Sequence, residues 1–433
     1  MRLVIATLAL PATLAAQASA DTAARPIRLA EAVRLAQRNA PAAVQAQGQL
    51  RTSAAVVRSA YAAFTPNVTL NASATRAIGI PNRVDPLSSR LLSGRWSSTQ
   101  GVTLNLDLFD GGSRLFDLRS ARAQVDAAES NELAQRYQLA LQAKQQFYAV
   151  LAAREEESAA QSQLEVAQRQ LRDAIAKVRA RTATKSDSLR ALIQVGNAQL
   201  ALLTGRNDLQ TANAALTRLV ATPFTVTASP EDTVGEESLA IDSVALAKLA
   251  QEAPTVQQAQ ATLQAAKATS KAARSPYLPA LSLSYGLSRS ATDSTFGGVF
   301  DNFSRSGQLR FSLNYPIFNQ LAREENVVVS DVATSNAEAA LRDARLAAQQ
   351  TLVQYLGALR TAQQQIAIQA ASVTAAEEDL RVQQQRYELG ASTQLDVLTS
   401  QSQLTQARLS LIQARFNYRV AKAQLEALVG RTL

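Results

Sequence analysis

Phe64-Thr65-Pro66-Asn67-Val68-Thr69-Leu70 returns 213 positions later as Tyr277-Leu278-Pro279-Ala280-Leu281-Ser282-Leu283. In both stretches an aromatic residue and a proline lead into a run whose polarity alternates with a period of two, the pattern of a strand with one apolar and one polar face. Ala40-Pro41 returns as Ala253-Pro254 at the same offset. Downstream, Asp187 pairs with Asp396 and Leu219-Val220-Ala221 with Leu428-Val429-Gly430, now at an offset of 209. The chain is therefore one unit written twice, 21–221 and 241–433, joined by a Pro-, Thr- and Glu-rich connector at 222–240 with room for a short strand around 224–227.

Four segments alternate in this way. Val68, Leu70, Ala72 and Ala74 oppose Asn67, Thr69, Asn71 and Ser73, and Val102, Leu104, Leu106 and Leu108 oppose Thr103, Asn105 and Asp107. In the second copy Leu281, Leu283, Tyr285 and Leu287 oppose Ser282, Ser284, Gly286 and Ser288, and Leu309, Phe311, Leu313 and Tyr315 oppose Arg310, Ser312 and Asn314. Each is as long as a tilted transmembrane strand, roughly 9 to 11 residues. They predict two hairpins, at about 66–109 and 279–316, with polar connections at 81–98 and 292–306 facing outside the cell. Trp96, the only tryptophan, sits near one loop base. It reads equally as a lipid-interface anchor or as a loop packing residue. Four strands cannot close a barrel, and hydrocarbon does not tolerate an open sheet edge. Outer-membrane barrels hold about eight strands or more, so sister subunits are needed; three copies of four supply twelve.

The remaining sequence is helical. Residues 113–181 and 320–388 are continuous periodic stretches, each roughly 100 Å long as a helix. Shorter stretches at 27–63 and 187–220, and at 241–275 and 394–430, match them pairwise in summed length, so each long helix is expected to run beside two shorter ones stacked end to end. Leu164, Ala167, Leu171, Ala174 and Val178 step by three and four, the coiled-coil period. An alanine-rich seam of this kind permits close approach and buries little area per residue, so length and many-sided packing must supply the stability.

The chain carries 433 residues, a formal net charge of +9, no histidine and no cysteine. The commonest general base and metal ligand is thus missing, thiol chemistry and disulfides are excluded, and no cysteine is present to carry a lipid anchor. Neither a phosphate-cradling glycine loop nor a cofactor motif is found. Glu155-Glu156-Glu157 and Glu377-Glu378-Asp379 read as solvated helix faces, and Lys185-Ser186-Asp187 is too poor a constellation for a Ser-Lys catalyst. The positive charge is interspersed with acidic residues, which suits a solvated surface and not a nucleic-acid footprint. Residues 1–20 begin with Arg2, run apolar over 3–16 and finish in Ala18-Ser19-Ala20, as a secretory signal peptide does; an N-terminal anchor would need a longer apolar run.

Tyr387-Glu388-Leu389-Gly390 followed by Asp396-Val397-Leu398, the closing Leu428-Val429-Gly430, and Leu108-Phe109-Asp110-Gly111-Gly112 echoed by Pro316-Ile317-Phe318-Asn319 complete a pattern over essentially the whole mature length. With the duplication, it resembles the TolC-like outer membrane efflux proteins. The resemblance implies a homotrimer whose twelve strands form a transmembrane β-barrel in the outer membrane of a Gram-negative bacterium, continuous with a hollow periplasmic barrel of helices. It implies an exit duct without chemistry of its own, joined to a periplasmic adaptor and an inner-membrane pump of the proton-driven (RND) or ATP-driven (ABC) type, for multidrug efflux or type I secretion. By the same resemblance Tyr387, Gly390, Asp396, Thr399 and Asp187 fall at the periplasmic tip, where the family narrows to an aspartate-lined gate. Lys177, Arg179, Arg181, Lys185, Leu389 and Ala391 become candidates for adaptor docking, and Phe64, Tyr277 and Trp96 for the membrane interface.

Physically, a ring of three Asp396 carboxylates would hold hydrated cations. Thr393-x-x-Asp396 and Thr184-x-x-Asp187 also fit helix capping boxes, so both roles are expected of Asp396 and capping of Asp187. Where the family often has a second acidic ring and a basic residue after the tip glycine, this chain has Thr399 and Ser392, which puts ion-pair locking of the gate in doubt. The first tip has no glycine, and its basic cluster suits either an acidic adaptor or the helix C-terminal dipole. The competing reading is a periplasmic coiled-coil scaffold in which the four alternating segments form a soluble sheet.

Overall fold

A computed structural model describes residues 24–76, 96–230, 243–301 and 303–431. The segment expected to be a signal peptide, most of the connection at 81–98 and much of the connector at 222–240 lie outside the described residues. The first copy contributes helices α1 (Leu29–Asn39), α2 (Pro41–Ala62), α3 (Ser113–Arg179) and α4 (Lys185–Val220); the second contributes α5 (Ser243–Gln251), α6 (Pro254–Ala273), α7 (Ala322–Glu388) and α8 (Gln394–Val429). The stretches expected to be unbroken over 27–63 and 241–275 are each split in two. A proline ring bars the preceding residue from the α conformation, and Ala40 and Ala253 accordingly lie at ψ 140° and 146°. Pro41 and Pro254 then open the next helix, where the missing N–H has no intrahelical partner to lose. No helix of the described residues is long and apolar enough to cross a membrane.

The two long helices, 67 residues each, organise the bundle. α3 packs against α1, α2, α4 and α6 and also reaches α8, while α7 packs against α5, α6 and α8. The large core side chains gather at mid-length. Phe147, Val150 and Leu216 pack there with Ile27 and Val226, which belong to the parallel strands β1 (Arg25–Ile27) and β4 (Val226–Ala228). The second copy gathers Leu352, Leu356, Leu359 and Leu425 at its own waist. Toward the first tip the buried positions become mostly alanine, Ala167, Ala174, Ala191 and Ala198, whereas the second keeps Val397 and Leu404. The first copy's waist, with its larger side chains, therefore buries more apolar area than its alanine-lined lower seam.

The remaining strands, β2 (Asn67–Arg76), β3 (Trp96–Asp110), β5 (Ala280–Asp293) and β6 (Ser304–Asn314), form one antiparallel sheet in the order β2-β3-β5-β6. Register decides its chemistry. Val68, Leu104, Tyr285 and Leu309 align across all four strands, and Leu70, Val102 and Leu287 across three with Gly307 as the fourth, so the apolar residues share one face. Asn67, Asn105, Ser284 and Arg310 align on the other. The strict alternation read along 102–108 ends in a bulge between Asp107 and Phe109, which brings Phe109 opposite Leu281 and leaves Leu108 as the extra residue. β2 and β6 are the open edges.

Between the copies, Lys144 of α3 forms an ion pair with Glu426 of α8, both side chains largely removed from solvent. Replacing Glu426 by alanine leaves Lys144 poorly solvated and should cost about 2 kcal/mol or more, whereas Lys144→Met with Glu426→Leu should fall within about 1 kcal/mol of the parent. A double-mutant cycle on the thermal midpoint checks this; a costless single substitution contradicts it.

Candidate functional site

Both helical hairpins end in the same local chemistry. Thr184 N–H donates to Asp187 Oδ2 at 3.0 Å and Asp187 N–H donates to Thr184 Oγ1 at 3.3 Å; at the second tip Thr393 N–H donates to Asp396 Oδ2 at 2.8 Å and Asp396 N–H to Thr393 Oγ1 at 3.3 Å. These are complete capping boxes, which satisfy two orphan amides at the start of α4 and of α8. The backbone and hydroxyl donors of Thr393, helped by Arg386, hold the Asp396 carboxyl below the usual carboxylate range. The hydroxyl and backbone of Thr184, with Arg190, do the same for Asp187. Asp396 is exposed while it caps, so one oxygen serves the helix and the carboxylate still faces solvent.

Each long helix stops where a residue turns left-handed. Gly390 does so at φ 74° and has open space around its α-carbon. Its counterpart, Arg181, takes φ 60° with a full side chain. The amides beyond it close back all the same, Thr182 N–H to Lys177 O at 2.9 Å and Ala391 N–H to Arg386 O at 2.7 Å, which satisfies the last carbonyls of α3 and α7.

Sequence reasoning placed Lys177 and Tyr387 at separate tips; the structure brings them together. Lys177 Nζ lies 4.3 Å from the centre of the Tyr387 ring, a cation–π contact between the copies. The two border a groove of about 310 Å³ between α3 and the α7–α8 hairpin, shared with Asp173, Glu388 and Gln394. Deeper in the same seam, the buried Gln401 joins Gln170 at 2.7 Å and Gln163 at 3.3 Å. This amide ladder was missed, and its signal was available in the seven-residue spacing of Gln163 and Gln170 on α3. Arg408 and Glu377, 2.7 Å apart, tie α8 to α7. Arg179, Arg181, Lys185, Leu389 and Ala391 are exposed around the two tips, Leu389 at 83%; Thr399 is exposed one turn into α8, its hydroxyl donating to Leu395 O.

At the opposite end, strands pass into helices through tight turns. Asp110 accepts from Gly112 N–H at 3.1 Å and from Arg114 N–H and Nε at 2.9 Å each. Gly111 is left-handed, and a Cβ there would stand 2.3 Å from Ser275 O. Arg114 covers the Phe64 ring at 5.2 Å and Arg323 the Tyr277 ring at 4.9 Å, so the two aromatic residues occupy equivalent places beside the junctions. Trp96 stands at the far end of the sheet, edge-on to Phe296 at 4.8 Å, packed against the β5–β6 connection.

A protomer that joins an amphipathic four-stranded sheet to a pair of long helical hairpins is one staveful of a membrane-anchored tube. The chain belongs to the outer membrane efflux protein family, whose model matches residues 32–222 and 245–431, one copy after the other. It is 28% identical over 350 residues to protein CyaE of Bordetella pertussis, covering 78% of this chain and 70% of that one. It is 32% identical over 171 residues to the alkaline protease secretion protein AprF of Pseudomonas aeruginosa, covering 37% of this chain and 34% of that one. Among solved structures it is similar to CusC, with TM-score 0.79 at 18% identity over 93% of this chain and 92% of that one. The MtrE outer membrane channel of Neisseria gonorrhoeae follows at 0.76 and 19%, over 93% and 89%. At these identities the structural likeness is one of fold.

Two predictions concern the tips. Arg181→Gly should stabilise the first tip by about 1 kcal/mol and Gly390→Ala should cost the second about as much, because only glycine takes the left-handed turn without strain; amide hydrogen exchange at 182–184 and 391–393 reads each tip alone. Both aspartates titrate lower when folded than when unfolded. Their caps therefore contribute fully above the unfolded value, about 3.9, and fade as pH falls through the depressed one. Thr393→Val should lower the melting midpoint at neutral pH, and the gap from the parent should narrow as pH falls below the unfolded carboxylate value, leaving only what the lost Oγ1 acceptor of Asp396 N–H contributes; a gap that does not narrow contradicts the assignment.

Proposed function

We propose that three copies of this chain assemble into the outer-membrane exit duct of an efflux or type I secretion machine. One observation carries the reading: the apolar face extends undiminished to both open edges. Leu70 on β2 is 80% exposed and Leu313 on β6 is 70% exposed. A protein working in water does not spread such a face over four strands and leave both margins bare. Three sheets joined β6 to β2 give a closed twelve-stranded wall with lipid outside and the Asn67, Asn105 and Ser284 row inside. That geometry disfavours the scaffold reading, which needs the apolar face buried within the protomer.

The helical hairpins, hanging from the same closed ring, form the periplasmic tube. At its end three Asp396 carboxylates, kept ionised by their caps, make a ring that holds cations and closes the passage. Lys177 against Tyr387 fastens the first tip to the second within a protomer, so opening must part them or move them together. Gly390 and Thr399 line the same end, with Asp187 on the neighbouring hairpin. Exposed Leu389 and Ala391 with Arg179, Arg181 and Lys185 offer a periplasmic adaptor an apolar knob and a basic collar, and the adaptor links the tube to the inner-membrane pump. The relative named for alkaline protease secretion supports a protein cargo. The family's own description supports efflux.

Purified protein in a planar bilayer should conduct, and Asp396→Ala should relieve block by added multivalent cations. An unchanged block removes Asp396 from the gate. In cells, deletion should sensitise the host to toxic compounds or empty the medium of a secreted protein; no change on either screen speaks against an export role.

A further inference from the structure

The outward face of β5 and β6 is apolar from Leu281 and Leu313 to Leu287 and Gly307, and the next pair outward is Arg289 directly opposite Arg305. Like charges in that relation destabilise a sheet. Among the described residues, neither arginine has a carboxylate within ion-pair range. Arg289 instead donates through Nε and Nη2 to the neutral Gln100 Oε1, at 2.9 and 2.5 Å, and lies 4.6 Å from the centre of the Phe303 ring. The sheet thus holds two neighbouring guanidinium groups on its apolar side, with no carboxylate among the described residues paired to either.

Their depth says what they meet. Arg305 lies ten residues along the chain from Tyr315, the last aromatic residue of that face before the helical junction. At about 3.3 Å per residue and a tilt of about 40° this is roughly 25 Å along the membrane normal, the height of the apolar band of an outer-membrane barrel. Just beyond stand Trp96 and Phe296, with Phe300 5.5 Å from Phe296 and Arg76 5.8 Å from the Trp96 ring, the aromatic and cationic mixture of a membrane interface. At that level the abundant anion is the phosphate of a lipid headgroup, and guanidinium pairs with phosphate oxygens two at a time.

We propose that Arg289 and Arg305 form a binding site for the phosphate of an outer-leaflet lipid headgroup, which bridges the two cations from the lipid side. The proposal rests on the reading of the sheet as membrane-spanning. Its ligand class is a phosphorylated lipid, and free phosphate is the alternative the test must separate.

Native mass spectrometry of the full-length protein in neutral detergent tests it, with bis-phosphorylated lipid A as probe, the same lipid stripped of phosphate as control, and millimolar inorganic phosphate as competitor. The phosphorylated lipid should bind, the Arg289→Gln, Arg305→Gln double variant should bind it at least about tenfold more weakly, and Arg310→Gln, on the polar face, should not change it. Inorganic phosphate should not displace the lipid. Without anionic lipid the double variant should melt no lower than the parent, since two repelling charges are gone; the lipid should raise only the parent's midpoint. Equal binding by parent and variant, equal binding of the stripped lipid, displacement by inorganic phosphate, or a lower midpoint for the lipid-free variant would each overturn the site. Conductance of the same preparation separates the two levels: protein that conducts but ignores the headgroup phosphate refutes this inference alone, and protein that neither inserts nor conducts refutes the duct as well.

Discussion

A backbone amide or carbonyl left without a partner in hydrocarbon costs several kcal/mol, and a sheet edge is a row of them. This constraint governs the molecule. The duplication supplies two hairpins, and β3 pairs with β5 to fuse the copies through the middle of the sheet. β2 and β6 are left, one from each copy, with ladders that nothing among the described residues of the protomer completes. The chain is in this sense built unfinished. Its apolar residues compound the demand, because register places them all on one face, where only lipid suits them.

The helical part follows from the sheet. Each hairpin ends in a turn that sends the chain straight into a long helix, and the turn needs left-handed backbone. The first copy meets this with Gly111 and Gly112; the second takes the same conformations at Gln320 and Leu321, φ 58° and 63°, held by Arg323 donating to Pro316 and Ile317 carbonyls. Below the junction most of the large side chains are spent at the waist, and the descending seams are richer in alanine and glutamine, with Val397 and Leu404 kept in the second copy. Stability is therefore graded, firm where the copies are pinned and weak at the tips. If the proposed gate lies at these tips, the tube can change shape there without disturbing the membrane wall.

Much of this was legible in the sequence because it depends on short-range periodicity. Strand alternation, the coiled-coil step and the Thr-x-x-Asp caps are each contained within a few residues, and the structure shows all of them. What could not be read depends on details that periodicity does not encode. Ala40-Pro41 and Ala253-Pro254 were visible as repeat marks, but their power to break a helix was overlooked since the apolar pattern continues across them. The bulge at Leu108 leaves no trace in an alternation that runs on to its last residue. Lys177 and Tyr387 are neighbours only because α3 packs against α8, which pairs with α7 in one hairpin, and the packing of Trp96 on Phe296 joins residues of different copies. The left-handed turn at Arg181 was hidden by the absence of the glycine that marks its counterpart.

The central claim, that sister chains complete the sheet, can be tested directly because the chain contains no cysteine. Single cysteines are placed in pairs along β2 and β6, for instance at Thr69 and Gln308. Within one protomer these edges are three strand spacings apart, roughly 14 Å, well beyond disulfide reach. Oxidation of the membrane-embedded protein should yield covalent dimers and trimers at one register of pairs and not at its neighbours. A protein that remains entirely monomeric at every register, and stays dissolved without detergent, would contradict the account.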